Sequence, residues 1–349
     1  MVDQLPTDSH DEAEVVPERE SQTTTTAIAV AGPLLSAAHR TELEELAAGA
    51  KRYVEAALSA NTRRAYASDW AHFSSWCEAH YFTVCPADPV TLHLYLQAEV
   101  EAGRSVRTIE RHVASIRWYH LDAGYPSPAD HPIVQRQRRG MRRELGRPPE
   151  KKTAAILEQL RAMLPVAPTL HTVRDRAILL LGWAGAFRRS ELASLDVTDC
   201  RAEGPKRLVV TVRRSKTDQE GQGMLKVILA GEHPDTCPVR ALELWRKAGG
   251  ITTGALFRRV SKYGTVLDGR LSDRAIARIV QDGAKRAGLD PKLYGGHSLR
   301  SGFMTEAYLQ DVPEADIMEQ SGHRSISVAR QYRQVRDLRR RDAAGRVGL

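Results

Sequence analysis

The chain has 349 residues, enough for two domains with separate cores, and a net charge of +8. Residues 1–50 hold ten acidic and two basic side chains, so the remainder carries +16 and favours an anionic partner. No stretch combines a positive start with a signal-peptide core or reaches the run of about 20 apolar residues that a membrane span needs. The four cysteines form no CxxC pair. Secreted disulfide scaffolds and membrane proteins are thereby excluded, and a cytoplasmic, nucleoid-associated chain with reduced thiols is expected.

The acidic head, residues 1–38, is rich in Thr, Ser and Glu and poor in aromatics, which predicts disorder. Helical spacing follows over residues 41–58, with Leu43, Leu46, Ala47 and Ala50 on one face. Asn61 or Thr62 is the expected cap of a second helix reaching His80, with Tyr66, Trp70, Phe73 and Trp76 inward. Further helices are predicted at 90–102, from Ser105 or Val106 onward with Ile109, Val113, Ile116 and Tyr119 inward, and at 133–145. Residues 39–145 thus form a helical domain. Residues 136–152 carry eight basic and two acidic side chains and end in Gly146-Arg147-Pro148-Pro149, so 146–152 is a basic linker. A strap along phosphates and a solvated helix face are both open to it.

The second domain, 153–349, mixes element types. A short helix is expected at 156–164 and a long, nearly apolar one at 173–187. Runs rich in β-formers at 207–212 and 225–229 flank a polar turn with two glycines, a hairpin signature. Helices at 238–248, 272–287, 297–309, 313–320 and 327–333 complete a chain that is mainly α with a small antiparallel sheet.

The chemistry concentrates in five short stretches. Ala186-Phe187-Arg188-Arg189-Ser190-Glu191-Leu192 ends an apolar helix with an Arg, and Arg214-Ser215-Lys216-Thr217-Asp218 lies in the hairpin turn. His297-Ser298-Leu299-Arg300 puts a His and an Arg three apart on a helix, and Gly322-His323 is followed nine residues later by Tyr332. A phosphodiester in transfer develops negative charge on its non-bridging oxygens, and a guanidinium fork is the donor best matched to them. Arg188 and Arg300 fit that role, with His323 as a third donor. Tyr332 is the candidate nucleophile, Lys216 a mobile acid for the departing oxygen, and His297 a partner in proton transfer. Glu191 is expected to orient the site. Taken singly, each has an ordinary reading as a surface or turn residue. Arg189 competes with Arg188, and the spacing to Glu191 favours Arg188. No acidic cluster suited to a catalytic metal accompanies the set, and no cofactor is called for.

In this order the stretches resemble the tyrosine recombinase (phage integrase) family, and the Cre-like type within it. The resemblance implies a helical, SAM-like core-binding domain followed by an α+β catalytic domain, clamping double-stranded DNA in a C shape. It makes Arg188, Lys216, His297, Arg300 and His323 an assembly around nucleophile Tyr332. Cre-like members often carry Trp where His323 stands, which keeps the donor role and loosens only the subtype. The same match points Arg64, Arg107, Thr108 and Arg111 at the DNA major groove. Leu271-Ser272-Asp273-Arg274-Ala275 resembles a helix start that sets an Arg on a guanine edge, a phosphate contact being the alternative for Arg274. The implied activity is site-specific recombination through a 3′-phosphotyrosyl link and a Holliday junction. A homotetramer would act on inverted-repeat sites, with residues 337–349 as a tail docking on a neighbour. A type IB topoisomerase, a telomere resolvase and a catalytically silent DNA-binding accessory protein are the rival readings.

Overall fold

A computed structural model describes residues 37–147, 152–213 and 223–332. The acidic head, most of the linker, Lys216 and the tail at 337–349 lie outside the described residues. The chain divides into two compact units between Pro148 and Pro149.

The first unit is helical: α1 (Ala37–Ala56), α2 (Ala60–Ala79), α3 (Pro89–Glu101), α4 (Val106–Asp122) and α5 (Pro132–Glu144). Side-chain oxygens cap three of them. Ser59 accepts from the Thr62 amide, Asp88 from Val90 and Ser105 from Thr108. Ser59 is therefore the cap of α2, and Thr62, one of the two expected caps, is its donor. Phe73, Leu92, Leu96, Ile109, Val113, Ile116 and Val134 fill the core. Trp70 stacks on Tyr119 at 4.5 Å between ring centroids, so Tyr119 covers the core edge as a half-buried residue. A buried polar network ties α2, α3 and α4. His72 Nε2 lies 2.8 Å from Glu99, Tyr95 Oη lies 2.8 Å from His112 Nδ1, and Arg111 grips Asp69 with two bonds of 2.7 and 2.8 Å. The expected inward face of α1 is open: Leu43 and Leu46 are exposed. Spacing of apolar residues defines a face but does not supply what covers it.

The second unit runs α6 (Leu157–Met163), α7 (Leu170–Ala184), α8 (Arg189–Ser194), β1 (Cys200–Ala202), β2 (Arg207–Val212), β3 (Met224–Leu229) and α9 (Pro238–Gly249). It continues with β4 (Arg258–Val260), β5 (Val266–Arg270), α10 (Asp273–Arg286), α11 (Gly296–Leu309), α12 (Glu314–Ser321) and α13 (Ile326–Arg330). The fold is mainly α with two small antiparallel sheets, β1-β2-β3 and the β4-β5 hairpin. Central α7 is buried from Ala177 to Gly182 and packs on α8, α9 and α11.

Helix α7 ends three residues earlier than its apolar content suggests. Gly185 caps it, Ala186 takes a left-handed φ of 46°, and Phe187 still reaches the core. The turn is buried like the helix, so hydrophobicity runs past the helix end. Such a φ costs a non-glycine residue about 1 kcal/mol or more, and burial of Phe187, worth roughly 2 kcal/mol, helps offset it. Helix α11 packs closely on the strand of chain before α6. A Cβ on Gly302 would lie 1.9 Å from the Ala155 carbonyl oxygen. Trp183 Nε1 donates to that oxygen at 2.9 Å and the Ala155 amide donates to Ser298 at 3.0 Å. No helix among the described residues is long and apolar enough to cross a membrane.

Candidate active site

Four elements of the second unit converge. The turn after α7 carries Arg188 as the N-cap residue of α8, where its amide donates to Glu191 Oε2 at 3.0 Å and its guanidinium donates to Glu191 Oε1. Glu191 is buried and holds Arg188 from both ends, as the spacing suggested. Neighbouring Arg189 is exposed and pairs with Asp273, with 3.1 Å between Nε and Oδ2.

Helix α11 sets His297 and Arg300 at different depths. His297 is exposed in the first turn, while Arg300, one turn further, is 1 % exposed. Arg300 Nη1 donates to the Ala186 carbonyl at 2.8 Å and to the Ser321 carbonyl. Its Nη2 lies 3.2 and 3.1 Å from the two ring nitrogens of His323. Gly322 ends α12 with φ 68°, which turns the chain so that His323 faces Arg300. Ser321 Oγ lies 2.7 Å from His323 Nδ1. Tyr332 follows α13, half-buried on Ala329 and its cluster, and its Oη lies 2.9 Å from His297 Nε2. The Tyr332 ring stands 6.1 Å from that of His323.

The electrostatics follow from burial of like charges. Burial first, then Arg188, pushes the Arg300 guanidinium down to about 10, still charged at neutral pH. Burial first, then Arg300 and Arg188, pushes His323 down to about 3, so it is a neutral imidazole with one N–H rather than a cationic donor. Burial raises the Tyr332 phenol, and Arg300 and Arg188 pull it back down. The cations offset burial only in part, so the phenol stays above the ordinary tyrosine range. An anion held between them would weaken that pull, so the phenol needs a base within reach, and His297 is in contact with it.

Lys226 was missed by sequence reasoning. It sits on β3 with its side chain inward, 1 % exposed, while Leu225, Val227 and Leu229 face outward. That alternation is inverted relative to hydropathy, and a lysine between apolar residues in a strand was the available signal. Lys216 lies outside the described residues. The strands around it are paired to their ends, Val212 opposite Met224, and the Met224 thioether lies against Gly322.

Of the other candidates, Arg64, Arg107, Thr108 and Arg111 belong to the first unit and Arg274 to the second. Arg64 is exposed on α2 with Nη2 2.5 Å from Asn61 Oδ1, and Arg107 is exposed on α4. Thr108 is half-buried with its hydroxyl 3.0 Å from Ser105, and Arg274 is exposed at the start of α10. Arg111, expected to face outward, is drawn to buried Asp69 by the bidentate bonds of the network, which lessens its freedom to reach a groove.

Two guanidinium groups, two imidazoles and a tyrosine hydroxyl cluster on a mostly helical α+β unit, a donor set suited to covalent phosphoryl transfer. Residues 155–339 match the phage integrase family, and the chain belongs to it: it is a tyrosine recombinase, an enzyme of site-specific recombination. The integrase/recombinase XerD homolog of Selenomonas ruminantium is 34 % identical over 309 residues, 87 % of this chain and 90 % of that protein. The recombinase Cre of Escherichia phage P1 is 24 % identical over 304 residues, 81 % of this chain and 85 % of that one. The fold is that of a lambda integrase (75–356) dimer bound to a COC′ core site, with TM-score 0.55, 15 % identity and coverage of 82 % of this chain and 93 % of that one.

Proposed function

We propose that the chain breaks and rejoins double-stranded DNA through a 3′-phosphotyrosyl intermediate. Tyr332 Oη attacks the phosphorus, the bond to the 5′ oxygen breaks, and a 5′-hydroxyl departs. Arg188 and Arg300 hold the non-bridging oxygens, with the His323 N–H as a neutral third donor. His297 takes the phenolic proton. Lys216, from the segment joining β2 to β3, protonates the departing oxygen. A 5′-hydroxyl from another strand then reverses the step. The phosphodiester energy is retained in the phosphotyrosine, so the exchange needs no nucleotide cofactor. The helical first domain, residues 39–145, and the linker, 146–152, track the duplex. Arg64, Arg107 and Thr108 lie toward the major groove, with Arg111 behind them, and Arg274 reads a base edge or a phosphate. Inverted-repeat sites, a tetramer and exchange through a Holliday junction, with residues 337–349 passed to a neighbour, complete the reading.

The observation that carries it is the 2.9 Å approach of Tyr332 Oη to His297 beside buried Arg300. The test is a nicked duplex from which the short fragment carrying the freed 5′-hydroxyl diffuses away, so that a covalent adduct accumulates. The adduct is expected on Tyr332. Specific DNA binding without any adduct would favour a silent accessory protein.

Lys216→Ala is expected to slow cleavage by a factor on the order of 10² to 10⁴, the usual share of general acid catalysis. A substrate with sulfur at the 5′ bridging position leaves without a proton and should restore most of that loss. Equal slowing on both substrates would take the acid role from Lys216.

A further inference from the structure

Lys226 and Arg300 make the same cross-link side by side. Lys226 Nζ donates to the Gly185 carbonyl at 2.8 Å and to the Gln320 carbonyl. Arg300 Nη1 donates to the next carbonyl along each segment, Ala186 and Ser321. One segment leads within three residues to Arg188, and the other leads to His323. Gln320 Nε2 adds a bond of 2.8 Å to the Ala184 carbonyl. Lys226 Nζ also lies 5.1 Å from the centre of the Phe187 ring, in the same turn.

We propose that Lys226 is a positioning residue for strand cleavage: its buried ammonium clamps the Arg188 turn to the His323 turn and adds a positive charge behind the phosphate-binding guanidinium groups. This deepens the phosphodiester reading above and rests on it. Lys226 touches no reacting atom, since it is enclosed and both carbonyls occupy it. Its action is on where Arg188 and His323 stand and on the charge they present.

The charge is adjustable. Among the described residues, Lys226 faces Arg300 from α11, Arg188 from the α7–α8 turn, His323 beyond α12, and the carboxylate of Glu191 from α8. Burial foremost, with Arg300 and Arg188 adding to it and Glu191 opposing, brings the ammonium from 10.5 down to about 7. A phosphate dianion or diester held by Arg188 and Arg300 would raise it again. Phosphate engagement then takes up a proton at Lys226, and that engagement weakens as pH rises through about 7. The effect on folding has the opposite sign. Between about 7 and 10.5 the unfolded chain holds the extra proton, so the contribution of Lys226 to stability grows with pH while its contribution to phosphate binding shrinks.

The test follows single-turnover cleavage of the nicked duplex by the full chain from about pH 6 to about pH 9, with thermal melting alongside. Wild type should lose cleavage-competent binding above neutrality while its melting temperature holds or rises. Lys226→Met, close in shape and uncharged, should cleave roughly 10- to 100-fold more slowly, as expected of misplaced donors, and lose the pH slope. Lys226→Arg keeps its charge to high pH and should flatten the slope even if its rate is reduced. A wild-type profile that is flat across the range, or variants that keep both the wild-type rate and the wild-type slope, would overturn the proposal. Failure of wild type to form any adduct would remove the phosphodiester reading and this proposal with it, and the two failures are distinct.

Discussion

Tyr332→Phe abolishes the covalent adduct and leaves DNA binding in place; this is the largest effect expected of any single change. The substitution removes one oxygen. The ring keeps its seat on Ala329 and the Met304–Tyr308–Ile317 cluster, so the fold is retained. The hydrogen bond to His297, 2.9 Å, is lost at a half-exposed position, which costs about 1 kcal/mol at most. Denaturing gels of the nicked-duplex reaction read the adduct, and gel shift on intact duplex reads binding. An adduct formed by the Phe variant at the wild-type rate would assign the nucleophile elsewhere.

Arg300→Ala comes second and acts on two levels. At the site it removes a guanidinium proposed to hold the reacting phosphate, for which a loss on the order of 10³-fold in cleavage is expected. In the fold it leaves the buried carbonyls of Ala186 and Ser321 without their donor, at about 1–3 kcal/mol each. Relief of the repulsion between Arg300 and Arg188 returns part of that. The variant should therefore melt lower, in contrast to Tyr332→Phe, and form adduct at that reduced rate even at temperatures where it is folded. Single-turnover cleavage and a melting curve on the same sample check both. Full stability with lost cleavage would mean that the two turns are held together without Arg300.

The motifs were legible because each pairs a residue type with a fixed local geometry. The three-residue offset of Arg188 and Glu191 is a helix start closing on itself. Gly322 supplies the left-handed turn that aims His323. His297 and Arg300 share a helix, but their different depths, rim and floor, come from how α11 is pressed onto Ala155, and spacing carries no depth. His323 reads as a cation by type and is neutral by environment, because burial foremost, and then charges from the start of α8, α11 and β3, set its state. Lys226 is the opposite case: a surface-type residue inside, visible only once β3 is seen to turn its leucines outward. The three-residue strands β1 and β4 are too short for alternation to register, and the early end of α7 is hidden by the burial of the turn after it. Arg111 illustrates the same limit, since Asp69 lies 42 positions away in sequence.

The proposed nucleophile and the proposed anion grip are anchored to unequal degrees among the described residues. Arg300 and Lys226 are locked into the interior, whereas Tyr332 hangs from a helix of five residues, α13, with Ala329 as its one buried member among the described residues. The tether includes a solvent-screened Arg330–Glu314 pair and the contact with His297. Local opening of this last turn is thus far less costly than opening of the platform beneath it. A partner surface or neighbouring chain that favours one placement of the turn by about 1.4 kcal/mol changes the engaged fraction roughly tenfold without disturbing the phosphate seat. Timing of strand breakage is accordingly separable from recognition of the strand.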